Sequence, residues 1–346
     1  MRMPLILGLG YLVLTAPAAA ATSEVCKLRP STTAQRAAQE RMISVDREKG
    51  YGFEETATDV FIGTDGNFSM GVVVTEEGVV LVDAPTSMGS VIETMVAEIA
   101  DAPITHVVYS HAHSDHIGGA AELTGPFEVV ASRPTEAELE KFNRPNRQYP
   151  FGTFVDGTGA VPMPTMVIGS ETDLRVGGRT IRLEPLQTGH SQGDMLAYVP
   201  EARTMIAIDV TWPASVPWVR LGDADNVPGY MAQNERLLDY DFEHLIAGHF
   251  AIVGNRGDVE NNIEYLEDLR REGIAALRGT NAGEIAAETG LTNAYTLMDE
   301  YFQRTVDKAA APVIEKWRDR LMGAGVWSCQ HAQWMISSLR YDQLPE

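Results

Sequence analysis

Four side chains able to hold a metal ion fall within six consecutive positions of the stretch Ser110-His111-Ala112-His113-Ser114-Asp115-His116-Ile117-Gly118-Gly119. Imidazole nitrogen and carboxylate oxygen both suit Zn²⁺, and their crowding on one loop lets two pairs diverge toward two separate ions. A zinc ion lowers the pKa of a water it binds to about 7, so such a loop can furnish a hydroxide nucleophile without a serine or cysteine. The only cysteines, Cys26 and Cys329, lie far from the motif. A polar surface loop accounts for one histidine more readily than for three with an aspartate among them.

The elements that must position these groups are legible around them. The β-branched run Ile104-Thr105-His106-Val107-Val108-Tyr109 reads as a buried strand whose end presents the ligands. Gly118 and Gly119 let the backbone turn closely beneath them. Short β-like runs at 60–63, 68–74 and 79–83 form an antiparallel meander, and Asp83 ends the last of them. A helix with its apolar face on Val91, Ile92, Met95 and Ile99 leads into the ligand strand, so strand, helix and strand make an α/β unit. A second β-rich half is expected from Met166. Its runs end at Gly189-His190, at Asp209 and at Gly248-His249, and an acid such as Asp209 closing an apolar strand is costly unless a cation neutralises it.

The pattern His111-x-His113-x-Asp115-His116 resembles the signature of the metallo-β-lactamase-fold hydrolase superfamily, whose members include glyoxalase II, lactonases, alkylsulfatases and the β-lactamases. The likeness runs from about residue 50 to about residue 275. It implies an α/β fold, a four-layer αββα sandwich, and two Zn²⁺ ions, with iron or manganese as substitutes. By the resemblance His111, His113 and His190 hold one ion, Asp115, His116 and His249 hold the second, and Asp209 bridges them. Asp83 takes the role of bracing the ligand loop, an ordinary strand-end turn residue being the other reading. The implied reaction is attack of a metal-bound hydroxide on an ester, lactone, thioester or related bond, with Asp115 and Asp209 as the catalytic carboxylates.

Many β-lactamases of this type carry Cys or Ser where Asp209 falls, so the glyoxalase II and lactonase-like dinuclear branch is favoured. The family more often has Gly before that aspartate, where this chain has Ile208. A β-lactamase and an iron-dependent dioxygenase of the same fold remain the alternatives. Diiron oxygen reductases usually place Glu at the position of His113, and a binding protein without turnover has no need of all seven ligands.

The rest of the chain divides into a secretory leader over 1–21, a polar tail over 22–48, the catalytic domain over 49–278 and a helical region over 279–346. Residues 1–21 have a basic start, an apolar centre and an Ala-rich end, the pattern of a cleaved signal peptide and not of a membrane anchor. The mature protein is then periplasmic or secreted, with no stable membrane insertion. Export makes a Cys26–Cys329 disulfide feasible, two buried thiols being the alternative. The formal charge is −21, and loss of Arg2 with the leader takes it to −22, which opposes nucleic-acid binding. The partner expected is a small-molecule substrate. Residues 143–165 read as a long loop, either a lid or a surface excursion. Trp212, Trp218, Tyr230 and Phe250 follow ligand positions and either line an apolar pocket or pack inside. His106, His244 and His331 are left out of the site. Beyond residue 280, helices are expected at 282–288, 295–309, 311–321 and 326–339, with Trp317, Trp327, Trp334 and Met335 at helical spacing. They pack on the domain or form an oligomer contact.

Overall fold

The computed structural model of the protein describes residues 24–27, 29–142 and 161–341. The leader expected over 1–21 and most of the loop expected at 143–165 lie outside the described residues. Two sheets face each other, with helices on their outer sides. The first has seven strands in sequential order: β1 (Gly52–Ala57), β2 (Val60–Thr64), β3 (Ser69–Thr75), β4 (Gly78–Val82), β5 (Ile104–Val108), β6 (Glu128–Ser132) and β7 (Met166–Ile168). β1 to β4 form an antiparallel meander, and β4 to β7 run parallel. The second sheet has the order β13-β12-β11-β10-β9-β8, built from β8 (Thr172–Val176), β9 (Arg179–Pro185), β10 (Met195–Val199), β11 (Thr204–Ile206), β12 (His244–Ile246) and β13 (Val253–Gly254).

Side-chain alternation sorts these strands into layers. In β4, Val80 and Val82 enter the core between the sheets with Ile181, Leu183, Ile206 and Ile246, while Val79 and Leu81 face the other way. There they meet Ile92, Met95 and Val96 of α2 (Gly89–Ile99). On the outer face of the second sheet, Leu196, Met205 and Leu245 pack against Leu237 of α6 (Val227–Leu237) and Val259 of α7 (Arg256–Arg278). This is the expected four-layer sandwich. Both helices start where their side chains cap them: Asn226 accepts from Gly229 N–H, and Asn255 and Asp258 form a reciprocal capping box.

Two expectations are corrected. Met166 does not open the second sheet, because β7 pairs in parallel with β6 through Val130–Met166 and sends Ile168 into the core between the sheets. The chain crosses between sheets after β7, and a three-residue run carries no local sign of which sheet it will join. The helices expected at 295–309 and 311–321 are one helix, α9 (Ala294–Trp317), with Pro312 inside it. An interior proline costs about 3 kcal/mol. The stripe Ala309, Ala310, Val313 and Trp317 is buried across that point, and burying the valine and tryptophan alone recovers about as much or more.

The C-terminal helices α9 and α10 (Ala324–Tyr341) share a core with Tyr230 of α6 and Tyr265, Leu266 and Leu269 of α7, and α8 (Ala282–Thr289) packs against α9. The aromatic stripe therefore packs on the domain, and α7 serves both sides of the expected boundary at residue 278. The tail is also tied in. Cys26 and Cys329 are joined by a disulfide, so the alternative of two thiols falls. The helix α1 (Thr32–Gln39) precedes Arg41, whose guanidinium donates to both carboxylate oxygens of Asp258 at 2.8 and 2.7 Å. Among the described residues no helix is long and apolar enough to cross a membrane.

Candidate metal centre

All seven predicted ligands converge at one edge of the sandwich, where strands of both sheets end. Their donor atoms form two groups, His111, His113, His190 with Asp209, and Asp115, His116 with His249, each within 4.8 Å of one another. His111, His113, Asp115 and His116 come from the loop after β5, with Asp115 and His116 on the single turn α3 (Ser114–Ile117), while His190, Asp209 and His249 follow β9, β11 and β12. His113 sits at the N-cap of that turn in extended conformation, and its ring makes no cap hydrogen bond and lines the site instead.

Asp209 stands between the groups. Its Oδ2 lies 3.0 Å from His116 Nε2 and 3.5 Å from His190 Nε2, and its Oδ1 lies 3.2 Å from His249 Nε2. Burial pushes its pKa up, but His116 and His249 outweigh that and hold the carboxyl well below its ordinary value. For His116 burial acts downward, and the Asp209 and Asp115 carboxylates overcome it to push the ring up to about 10. Burial lowers His111, His113 and His190, with His113 brought to about 4.

The donors fit a metal by a separate criterion. Apart from their close approaches to one another, His111 Nε2, both nitrogens of His116, His190 Nδ1 and Asp209 Oδ1 are buried with no hydrogen-bond partner among the described residues, and each ring can offer one nitrogen to an ion. Orphaned polar atoms of this kind are expensive unless an ion takes them. His113 Nδ1 and His190 Nε2 are 3.1 Å apart. Two nitrogens on one tetrahedral zinc would be separated by roughly 3.4 Å. A dinuclear centre with Asp209 shared between its halves is compatible with this arrangement.

Outer groups fix the tautomers. Asp83, fully buried, accepts from Ser110 N–H at 2.7 Å and Ser110 Oγ at 2.6 Å. With its proton committed to Asp83, Ser110 Oγ can only accept from His111 Nδ1, 2.8 Å away, which leaves His111 Nε2 unprotonated and aimed into the site. Burial raises Asp83 to about 7 despite His116 and Ser110 pulling it down. His249 Nδ1 donates to the Asn67 carbonyl at 3.2 Å, so its Nε2 carries the lone pair that can ligate an ion. The loop of His190 is held by residues that the sequence did not single out. Asp194, raised to about 6 by burial, accepts from Ser191 N–H and from Gln233 Nε2 at 2.7 Å, and Gln233 Oε1 accepts from His190 N–H at 3.2 Å. Ser110 and Asp194 stand close to ligands in the sequence without a motif of their own to mark them, and only the fold brings Gln233 beneath His190.

Glycine precedes His190 and His249 for a steric reason. A Cβ on Gly189 would stand 2.2 Å from Gln233 Cδ, and one on Gly248 would stand 2.3 Å from Asp209 Oδ1. Asp209 itself has φ +58° and Asp83 φ +67°, left-handed backbone that turns each carboxylate off its strand into the site. Ile208 creates no obstruction, because its side chain is buried between the sheets.

A cleft of about 470 Å³ opens over the ligands. Its apolar walls are Phe68, Trp212 and Trp218, and its polar ones Asn67, Thr86, Ser87 and Asp223. Trp212 stacks on His249 with ring centroids 4.7 Å apart and planes 5° from parallel. Of the two readings left open for these aromatics, Trp212 and Trp218 take the first and line the pocket. Tyr230 does not: it is fully buried and its hydroxyl accepts from Trp212 Nε1 at 3.1 Å. Phe250 packs behind, 5.9 Å from each tryptophan. His106 and His244 lie away from the site. His331 contacts the pocket wall from behind, donating from Nε2 to the Trp218 carbonyl at 2.6 Å, so setting it wholly aside missed a supporting role. The wall continues through α5 (Val219–Asp223), where Arg220, Leu221, Gly222 and Asp223 have φ of +51°, +59°, +71° and +56°. This left-handed turn costs roughly 1–2 kcal/mol for each residue other than glycine.

Comparison with known proteins places this geometry in context. The profile of the metallo-beta-lactamase superfamily matches residues 63–274. A curated relative, 2,4-dinitroanisole O-demethylase subunit alpha from Nocardioides sp. (strain JS1661), is 24% identical over 263 residues, 73% of this chain and 75% of that protein. Among solved structures, a metallo-beta-lactamase from Pontibacter korlensis is 19% identical with a TM-score of 0.50, over 63% of this chain and 99% of that one. The stereoselective inverting sec-alkylsulfatase Pisa1 from Pseudomonas sp. is 17% identical with a TM-score of 0.57, over 84% of this chain and 50% of that one. At these identities the structural likeness is one of fold.

Proposed function

The chain belongs to the metallo-beta-lactamase superfamily, and on that footing we propose that it is an exported dinuclear zinc hydrolase of uncharged esters or lactones bearing an aromatic or apolar group. The observation that carries the reading is the pair of donor groups with the Asp209 carboxylate between them. Two zinc ions held by His111, His113, His190, Asp209, Asp115, His116 and His249 would supply a hydroxide near neutral pH and a Lewis acid for the acyl oxygen. The chain's own residues do the positioning. Ser110 and Asn67 hold His111 and His249 in the ligating tautomer. The Phe68, Trp212 and Trp218 faces exclude water and receive the apolar group. Asp115, about a third exposed at the cleft, is the carboxylate best placed to handle a proton at the substrate.

The charge of the pocket supports an uncharged substrate. Among the described residues no lysine or arginine lines the cleft, and Asp223 adds a carboxylate. A sulfate ester or a β-lactam brings an anion that, beyond the metal centre, would find no cation to pair with. Export is supported by the disulfide, which persists in oxidising compartments. Nucleic acid is disfavoured as a partner by the net charge of −21.

The test is a parallel screen of zinc-loaded mature protein, with and without chelator, against an aryl ester, an acyl-lactone, a glutathione thioester, a cephalosporin, an aryl sulfate and a phosphodiester. Aryl ester or lactone turnover should lead, and the phosphodiester should be slowest. Chelator-sensitive cephalosporin hydrolysis far above the others would make this a β-lactamase. Elemental analysis runs alongside, and one equivalent of iron alone would move the reading to the dioxygenase branch. A second reading, cleavage of an activated aryl methyl ether, is supported by the O-demethylase relative and by the same uncharged, aromatic-walled pocket. Release of methanol and 2,4-dinitrophenolate from 2,4-dinitroanisole and water would establish it.

A further inference from the structure

The wall of the cleft formed by Trp218, Gly222 and Asp223 is a left-handed turn in which Arg220, Leu221 and Asp223 are not glycine. Local preference does not hold such a turn, so something outside it must. Inside it the Gly222 N–H donates to the Trp218 carbonyl at 3.0 Å and the exposed Arg220 guanidinium pairs with the Asp223 carboxylate. The Trp218 carbonyl receives a second hydrogen bond from His331 Nε2 at 2.6 Å, more than a hundred residues along the chain. His331 is fully buried on α10, and its Nδ1 lies 2.7 Å from the Tyr265 hydroxyl, which also faces Ser328 Oγ at 2.9 Å. With Tyr265 donating to Nδ1, the ring is fixed as the tautomer that donates from Nε2.

The far end of the turn is held from the same helix face. Trp334, one helical turn beyond His331, donates from Nε1 to the Ala224 carbonyl at 3.2 Å. Its ring lies under the Arg220 guanidinium at 5.4 Å. The strand-like approach to the turn is fastened too, since Val216 N–H donates to the Met322 carbonyl and Met322 N–H to the Ala214 carbonyl, both at 3.0 Å. Leu221 is buried in the core of the C-terminal helices. Two donors on α10 thus pin the two ends of one pocket wall, and the helix that carries them is itself anchored by the Cys329 disulfide.

We propose that α10 is the specificity element of the site, with His331 and Trp334 as positioning residues that set where the Trp218 ring stands and so how wide the cleft is for an aromatic group. Neither side chain touches substrate; both act through the backbone of residues 218–224. The proposal rests on the reading above for its substrate class, an uncharged aryl compound.

The experiment compares zinc-loaded wild type with His331→Leu, which loses both ring nitrogens, with His331→Gln, which restores an N–H donor, and with Trp334→Phe, which loses only the indole donor at Ala224. Three quantities are read: Kd for 4-nitrophenol by tryptophan quenching, KM and kcat for 4-nitrophenyl acetate against methyl acetate, and zinc content. His331→Leu should raise the 4-nitrophenol Kd and the aryl KM by about fivefold or more, the effect of losing one hydrogen bond to a backbone carbonyl. Zinc content and methyl acetate turnover should stay within about twofold of wild type, and His331→Gln should recover most of the loss. Trp334→Phe should move the same quantities in the same direction, and it carries the test if His331→Leu does not fold. Unchanged 4-nitrophenol binding in both donor-deleted variants, equal losses on the ring-free ester, or a glutamine variant no better than leucine would overturn the proposal, as would a wild type that binds no 4-nitrophenol. Binding that responds to the variants in a protein that hydrolyses neither ester would instead sink the hydrolase reading and leave the wall assignment standing.

Discussion

Asp83, Ser110 and His111 form a chain in which each member fixes the next, and its consequence is a particular imidazole tautomer. Asp83 accepts a hydrogen bond from Ser110 Oγ, Ser110 Oγ accepts from His111 Nδ1, and His111 Nε2 is left for ligation. Ser110→Ala removes the acceptor without removing a ligand. Zinc affinity should fall about 10- to 100-fold, as for other partners that orient ligating histidines, with the fold intact. A chelator competition titration measures this, and unchanged affinity would show that the chain plays no part in ligation. Asp209→Ala is a sharper test, because that carboxylate contacts histidines of both groups. Turnover should drop at least about 100-fold and zinc content should fall below two equivalents, while circular dichroism stays that of wild type.

At the scale of elements, every ligand stands on a loop that leaves the end of a strand, and the strands are rigid because both faces of each sheet are covered. The helix α10 extends that logic to the pocket wall and adds a pH dependence that can be isolated. Burial depresses His331 to about 4, even though the Trp218 and Pro217 carbonyls pull the other way. The unfolded chain binds a proton at His331 below about pH 6.5 while the folded chain does not until about pH 4, so stability from this site is full above 6.5 and declines as pH falls. The loss reaches at most about 3 kcal/mol by pH 4. The neighbouring histidines His111, His113 and His190 contribute the same sign of slope. Only the difference between wild type and His331→Gln therefore reports on His331. Urea midpoints measured from pH 7 to pH 4 should converge toward or cross in favour of His331→Gln as the pH falls; parallel curves would contradict a buried neutral ring.

The whole molecule is closed by a bond between its two ends. The Cys26–Cys329 disulfide has a sequence separation of 303 and fastens the tail to the helix behind the pocket. In the chain-entropy model a loop of that size stabilises by about 5 kcal/mol, a ceiling because the reduced chain keeps structure. At about 2–4 °C per kcal/mol for a chain of this class, the Cys26→Ser/Cys329→Ser double variant should melt about 10 °C lower. Its zinc content should be unchanged, since neither cysteine approaches a ligand. A melting point equal to that of wild type would mean that the tail is held by other contacts, the Arg41–Asp258 pair foremost.

How much of this was legible in the chain depends on whether the constraint was local. The ligands were, because a buried acid or imidazole at the end of an apolar strand is too costly to stand there without a cation, whereas the need for Gly189 and Gly248 is set by Gln233 and Asp209, which only the fold brings beside them. The α/β alternation followed from short-range patterns, and the four layers from the family resemblance of the His111–His116 motif. Membership of β7 in the first sheet, the continuity of α9 through Pro312 and the burial of Tyr230 did not, since each was decided by a face supplied from elsewhere. The pocket was the least legible part. Phe68 and the Trp218–Asp223 turn come from separate loops, and His331 and Trp334 reach that turn from a helix more than a hundred residues away. A metal ligand is marked by its own chemistry and its neighbours in sequence, whereas a pocket wall exists only once packing has brought distant backbones within a hydrogen bond of one another.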